Sequence, residues 1–147
     1  MKTIVGLLMM IMFSVSFAQI SKERKQVETV GPPLNGEFTS YYDNGAVKVQ
    51  ATFINGVVNG EYKTYYPNGQ IKELRNYENG KSNGMWYLYN EKGYLLSQAS
   101  FAQDQKHGTW IVFDNDGNYK AVIIYVNGKK VNSTVYDKGE IVAERNY

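Results

Sequence analysis

The stretch Asn59-Gly-Glu-Tyr-Lys-Thr-Tyr-Tyr-Pro-Asn-Gly-Gln-Ile-Lys-Glu-Leu-Arg-Asn-Tyr-Glu-Asn-Gly-Lys-Ser82 is one copy of a 24-residue period. Aligning Asn35, Asn59, Asn83 and His107 brings the other columns into agreement. Gly36, Gly60, Gly84 and Gly108 open the copies, and Gly45, Gly69, Gly93 and Gly117 follow nine residues later. One aromatic column is Phe38, Tyr62, Trp86 and Trp110, and a second is Phe53, Tyr77, Phe101 and Tyr125. A third is Tyr41, Tyr65, Tyr89 and Phe113. A fixed period of this length, without insertions, marks a repeat architecture.

Within each copy the pattern is β. Alternating runs rich in Tyr, Phe, Val, Ile and Thr lie between Asn-Gly pairs, whose tolerance of positive φ suits tight hairpin turns. A two-residue turn at Asn44-Gly45 sets Tyr42 opposite Val47, Ser40 opposite Val49 and Phe38 opposite Ala51. One face of the hairpin then carries Phe38, Ser40, Tyr42, Val47, Val49, Ala51 and Phe53. The other carries Glu37, Thr39, Tyr41, Lys48, Gln50 and Thr52, a split that a one-residue slip would destroy. Asn55-Gly56 and Asn59-Gly60 turn the chain into the next copy.

The expectation is an all-β fold: an antiparallel meander of tandem hairpins forming an elongated, twisted or curled open sheet. The repeats span 35–58, 59–82, 83–106 and 107–130, about eight strands, and a shortened copy at 131–147 caps the array through a turn at Asp137-Lys-Gly139. Glu73 and Arg75 interrupt the apolar face of the second copy as a charge pair along the strand. In the fourth copy Ile111, Phe113, Val122 and Ile124 make the second face apolar too, which implies cover on both faces there, either by sheet curl or by a partner.

Residues 1–18 read as an export signal: Lys2, an apolar run from Ile4 to Phe13, and Ser16-Phe-Ala18 as a cleavage site. As a helix, Ile4 to Phe17 would span only about 21 Å, short of the roughly 30 Å of bilayer hydrocarbon. The processed protein is then periplasmic, surface-associated or secreted. Residues 19–34 form a charged, Pro-interrupted leader that does not match the repeat, and 35–147 form the repeat domain.

The net charge of +2 disfavours nucleic acid as a partner, since phosphate binding wants a concentrated basic face. Cys is absent, so disulfide, thiolate and Cys–zinc chemistry are excluded. His107 is the only histidine and occupies the Asn slot before a repeat glycine, where a turn residue is expected. Asp114-Asn-Asp116-Gly117 resembles part of a calcium loop, but that register puts Val112 and Ile123 where acids are required, so it reads as a hairpin turn. Glu37 and Glu61 share a column that Met85 and Thr109 do not continue, which suits a solvated face better than acid/base catalysis. Asn132-Ser-Thr134 fits a glycosylation sequon, of consequence only in a eukaryotic source. No catalytic, cofactor-binding or metal-binding residues are expected. The candidate contact stripe is Tyr41, Tyr65, Tyr89 and Phe113, one aromatic per repeat on the second face; the alternative for it is a ladder that stabilises the sheet.

The motif Gly60-Glu-Tyr-Lys-Thr-Tyr65, Asn68-Gly-Gln-Ile-Lys72, Tyr77-Glu-Asn-Gly-Lys81 resembles the MORN-repeat variant of bacterial proteins often labelled YwqK-type antitoxins. The resemblance runs from Asn35 to about Lys130, with Asp104-Gln105 where Asn-Gly is expected and His107 in place of Asn. It implies a hairpin array used for protein or membrane contacts and supplies no catalytic residues. The functional expectation is therefore a non-enzymatic exported scaffold for a protein or peptide partner. A toxin-neutralising antitoxin is the alternative, and membrane-surface or glycan binding stands second to it.

Overall fold

A computed structural model describes residues 34–114 and 116–147. The export signal expected at 1–18 and the expected leader up to residue 33 lie outside the described residues. Twelve strands form one antiparallel sheet: β1 (Gly36–Tyr41), β2 (Val47–Ile54), β3 (Val57–Tyr65), β4 (Ile71–Glu78), β5 (Lys81–Ser82), β6 (Gly84–Tyr89), β7 (Leu95–Ala102), β8 (Gln105–Lys106), β9 (Gly108–Phe113), β10 (Tyr119–Val126), β11 (Lys129–Asp137) and β12 (Glu140–Asn146). Neighbours in the sheet are neighbours in sequence, as a meander requires. The short β5 and β8 lead into β6 and β9, interrupted at Asn83 and His107, and pair back with β4 and β7.

Inside the first hairpin the register is the expected one, with Phe38 opposite Ala51 and Ser40 opposite Val49. Its turn is longer than expected. The Tyr42 amide donates to the Ala46 carbonyl at 2.8 Å and the Gly45 amide to the Tyr42 carbonyl at 2.9 Å, so Asp43, Asn44 and Gly45 form a three-residue loop. Tyr41, not Tyr42, pairs with Val47, and Lys48 becomes an extra residue on β2. A bulge next to a longer loop cancels the offset and returns the apolar residues to one face. Lys72 and Leu96 are the extra residues in the next two copies. Copy four instead widens its loop so that Asp114 bonds Tyr119, and Phe113 pairs with Lys120 without a bulge.

The turns closing each copy have two residues, both with positive φ, as in Asn55 (50°) and Gly56 (79°). The same geometry recurs at Gln103 (50°) and Asp104 (69°), while Gln105 already belongs to β8. The pair standing in for Asn-Gly is therefore Gln103-Asp104 rather than Asp104-Gln105. Asp104 is held in this unfavourable conformation from both sides of its own chain. Its amide donates to the Ser82 carbonyl at 2.9 Å, and its carboxylate accepts from the Ser82 amide at 2.8 Å. The backbone half of this clasp repeats at Gly56–Leu34, Gly80–Val58 and Gly128–Lys106, so each copy ties its closing turn to the residue that immediately precedes the copy.

One face holds the core. Phe101 pairs with Gly84, which adopts a φ of +93° and whose missing Cβ faces the Asn76 side chain on β4. From there the rings run sideways across the strands: Tyr77 to Trp86 at 5.6 Å, Trp86 to Phe101 at 4.4 Å, Phe101 to Trp110 at 5.0 Å and Trp110 to Tyr125 at 5.1 Å. Ala99 lies in the lateral row between Trp86 and Trp110 and is 2% exposed, as is Trp110 itself. Glu73 and Arg75 do form a pair along β4, at 2.6 Å, and the guanidinium also sits 4.9 Å from the centre of the Trp86 ring. A charge on the core face is thus neutralised by its neighbour and covered by an aromatic surface.

The last copy turns through Lys138-Gly139 alone, with Asp137 paired to Glu140. β12 is exposed along its whole length and forms one edge of the sheet.

Ala99→Leu should lower stability by about 1–3 kcal/mol through overpacking against the two indoles, read as a lower urea midpoint at unchanged slope. Removing residues 59–82 should leave a cooperatively unfolding β protein. The pairings of β2 with β3 and of β4 with β6 share one register, so the new junction recreates an existing one. A broad, multi-step urea transition would contradict this.

Candidate interaction face

The second face is built by the residues that alternate with the core. Its middle row begins with Thr39, Gln50 and Lys63, then becomes Leu74, Tyr87, Gln98, Ile111 and Val122, and ends in Thr134 and Glu144. Apart from Gln98 on β7, the row is therefore apolar from β4 to β10. The apolar stretch does not continue to the end of the chain, because Asn132, Glu144 and Asn146 restore a polar surface on β11 and β12 while Thr134 is buried. Leu74, Tyr87, Ile111, Phe113, Val122 and Ile124 are all half-exposed. Sheet curl does not supply the expected cover of copy four: among the described residues no element packs on this face.

The four stripe residues all lie on this face, but on alternate strands β1, β3, β6 and β9. Strand spacing puts neighbouring members about 10 Å apart. They do not stack on one another. Tyr41 is 61% exposed. Tyr65 reaches across to donate its hydroxyl proton to the Gln50 side-chain carbonyl. Tyr89 stacks on Tyr87 of its own strand, with centroids 6.3 Å apart and planes 26° apart. The stripe is thus no continuous ladder, and only its Tyr89–Phe113 half borders the apolar centre. Leu74 and Tyr87 complete that centre and were not singled out from sequence. Tyr87 shares its repeat column with Thr39 and Lys63, which hides it until β4 and β6 are paired.

The polar end of the face carries Glu61 and Lys63 joined at 2.6 Å, the charged use expected of that column. His107 is exposed at the break between β8 and β9, where its amide donates to the Ser100 carbonyl at 3.0 Å. Asp114 closes a hairpin turn, its carboxylate accepting from the Tyr119 amide at 3.1 Å; Asn115 lies outside the described residues. Asn132 of the sequon sits within β11 and donates to Glu144 and Asn146. No group of three or more potential metal ligands occurs among the described residues.

At the tips of the hairpins, side chains lock successive copies together. Tyr42 donates to the Tyr65 carbonyl at 2.7 Å and Asn44 to the Pro67 carbonyl at 3.1 Å. One period later Tyr66 donates to the Tyr89 carbonyl at 2.9 Å and Asn68 to the Glu91 carbonyl at 2.9 Å. The next period places Asn90 and Lys92 in those two columns. Asn90 turns inward and accepts from the Lys92 and Tyr94 amides, both at 3.0 Å. The lock ends there, and a shallow cleft of about 440 Å³ opens, lined by Tyr66, Asn90, Glu91, Lys92, Tyr94 and Asp116.

Burial, with help from Glu91 and Glu73, raises the Tyr66 phenol above its ordinary value of 10.0. The folded state then keeps a proton that the unfolded chain releases, so this contribution to stability is full below pH 10 and falls as the pH rises beyond it. Tyr66→Phe should cost about 0.5–1.5 kcal/mol at neutral pH, the usual worth of such a hydrogen bond. It should also remove that part of the alkaline decline. Urea midpoints of both proteins at neutral pH and above pH 10 test the two effects separately.

The model of the MORN repeat variant family matches residues 34–55, 58–79 and 106–127. Between the second and third matches, β6 and β7 form a hairpin on the same plan. A comparison with curated proteins returns no match.

Proposed function

Since three of its copies match the MORN repeat variant, a repeat generally involved in protein or membrane interactions, we propose that this chain is a non-enzymatic scaffold whose second face binds a protein or peptide. The observation that carries the reading is the apolar centre from Leu74 to Val122, half-exposed on a sheet one layer thick. Exposed apolar surface that forms a contiguous patch with a polar border is characteristic of interaction sites. Tyr87, Tyr89 and Phe113 supply large, stiff contact area, the kind that anchors interfaces. The polar borders on β1–β3 and β11–β12 limit the contact to the middle of the sheet. A protein is favoured over a membrane surface because Lys63 at the border of the patch is neutralised by Glu61 and Lys120 lies over the Tyr136 ring.

The scaffold acts outside the cytoplasm in this reading, which rests on the sequence pattern of residues 1–18. N-terminal sequencing of the protein recovered from the exported fraction should begin at Gln19.

Cross-linking in intact cells, followed by purification, should recover one defined partner. Ile111→Lys places a charge in the centre of the patch and should abolish that recovery while leaving the circular dichroism spectrum unchanged. Equal recovery with Ile111→Lys would sink the assignment of this face. Repeated recovery of the chain alone would sink the scaffold reading itself.

A further inference from the structure

The core face changes character at its C-terminal end. Lys106 places its ammonium 4.7 Å from the Trp110 ring centre and 5.0 Å from that of Tyr125. Lys130 lies 3.9 Å from the ring centre of Tyr147. Arg145 pairs with Ser133, and the Ser133 hydroxyl lies 3.2 Å from the Tyr147 hydroxyl, which puts all of these groups on one face. The ion pairs formed among the described residues are Glu61–Lys63 and Glu73–Arg75, so neither lysine nor Arg145 has a carboxylate partner there. The corresponding column holds Val58 and Ser82 in the earlier copies, so the charge is confined to the end of the array.

Two titrating groups are shifted by these surroundings. Lys106 is held below its ordinary value by burial and by the neighbouring Lys130 charge. The Tyr147 phenol is lowered by its hydrogen bonds with Lys130 and Ser133, and further by the charges of Lys130 and Arg145. Burial acts in the opposite direction on Tyr147 and is outweighed.

Beside this strip lies the open edge of β12, exposed at every residue from Glu140 to Asn146. We propose that this edge binds an extended acidic peptide segment, which adds to the sheet as a further strand and sets its carboxylates against Arg145 and Lys130. A strand added to β12 pairs the outward N–H and C=O groups that the meander leaves open. Its alternate side chains fall on the core face next to Arg145, and the Lys130 ammonium already reaches that column over Tyr147. The opposite face of β12 carries Glu144, which accepts from Asn132 at 3.3 Å. The segment must therefore place its carboxylates toward the Arg145 end of that face, where Lys130 also lies, and be uncharged beside Glu144 and toward the other end, where Asp137 and Glu140 stand on the same face as Arg145. A phosphate or a lipid headgroup would answer the charge alone and leave the edge unused. This edge is distinct from the apolar centre on the second face, and either can fail without the other.

The test uses the full chain and a fluorescein-labelled, end-capped octapeptide of threonine with glutamate at two alternate positions near one end, followed by fluorescence anisotropy at low and high salt. Saturable binding that weakens with salt is expected, together with slowed amide exchange in residues 140–146. Arg145→Glu and Lys130→Glu should each weaken binding roughly tenfold or more, as reversal of a close interface charge does. Lys130→Gln, the milder change, should act in the same direction. Lys63→Glu, at the other end of the sheet, should have no effect. Replacing glutamate by glutamine in the peptide, or N-methylating its backbone at alternate residues, should abolish binding. Three results overturn the proposal: no binding of the acidic peptide, equal binding of the N-methylated peptide, or Lys130-dependent binding of inorganic phosphate or of anionic phospholipid vesicles with none of the peptide.

Discussion

A sheet one layer thick has no opposing layer to bury its side chains, so burial must come from neighbours on the same face. The lateral run of rings from Tyr77 to Tyr125 meets that constraint, each ring lying 4.4–5.6 Å from the next. Such pairs contribute about 0.5–1.5 kcal/mol each beyond the area they bury, and they join adjacent copies rather than the two strands of one hairpin alone. Small residues such as Ala99 seat the indoles on either side. No copy can form its core alone, which accounts for a fold made only of repetition.

The same constraint explains why the second face remains available. Once the rings have covered one side of the backbone, nothing in the meander returns to cover the other. Residues there are limited only by strand propensity and by the need to stay in solution. Copies one and two use threonine, glutamine and paired charges, and the middle of the sheet uses leucine, tyrosine, isoleucine and valine. This change between chemically equivalent columns is not demanded by the fold. It is the difference that points to a bound partner.

Much of the architecture was legible because the period is strict. Face assignment followed from alternation, and the Glu73–Arg75 pair followed from two charges standing where apolar residues recur. The errors lie where backbone hydrogen bonds, not side-chain types, decide the outcome. A three-residue loop followed by a bulge at Lys48 gives the same interior register as the two-residue turn expected at Asn44-Gly45. The two differ only near the turn, and nothing in the alternation separates them. Gln103-Asp104 lacks the Asn-Gly composition, and what holds it is a clasp to Ser82 that lies far away in sequence. The contact face was half legible. Its aromatic column was visible, but Leu74 and Tyr87 join it only through the pairing of β4 with β6, two strands from different copies.

Differences among copies carry more information than the consensus does. Tyr42 and Tyr66 donate to backbone carbonyls, acceptors that every copy possesses, so the lock would fit at any junction. Its replacement by Asn90 and Lys92 is therefore a property of the third copy and not of the fold. The same reasoning applies to Lys106 and Lys130, which stand where earlier copies have Val58 and Ser82. A buried ammonium beside a second ammonium is unfavourable in the isolated chain. The aromatic faces beneath both lysines offset part of that cost but leave the net charge in place. An arrangement that the repeat does not require, and that the chain does not neutralise by itself, is stabilised most directly by an anion from outside.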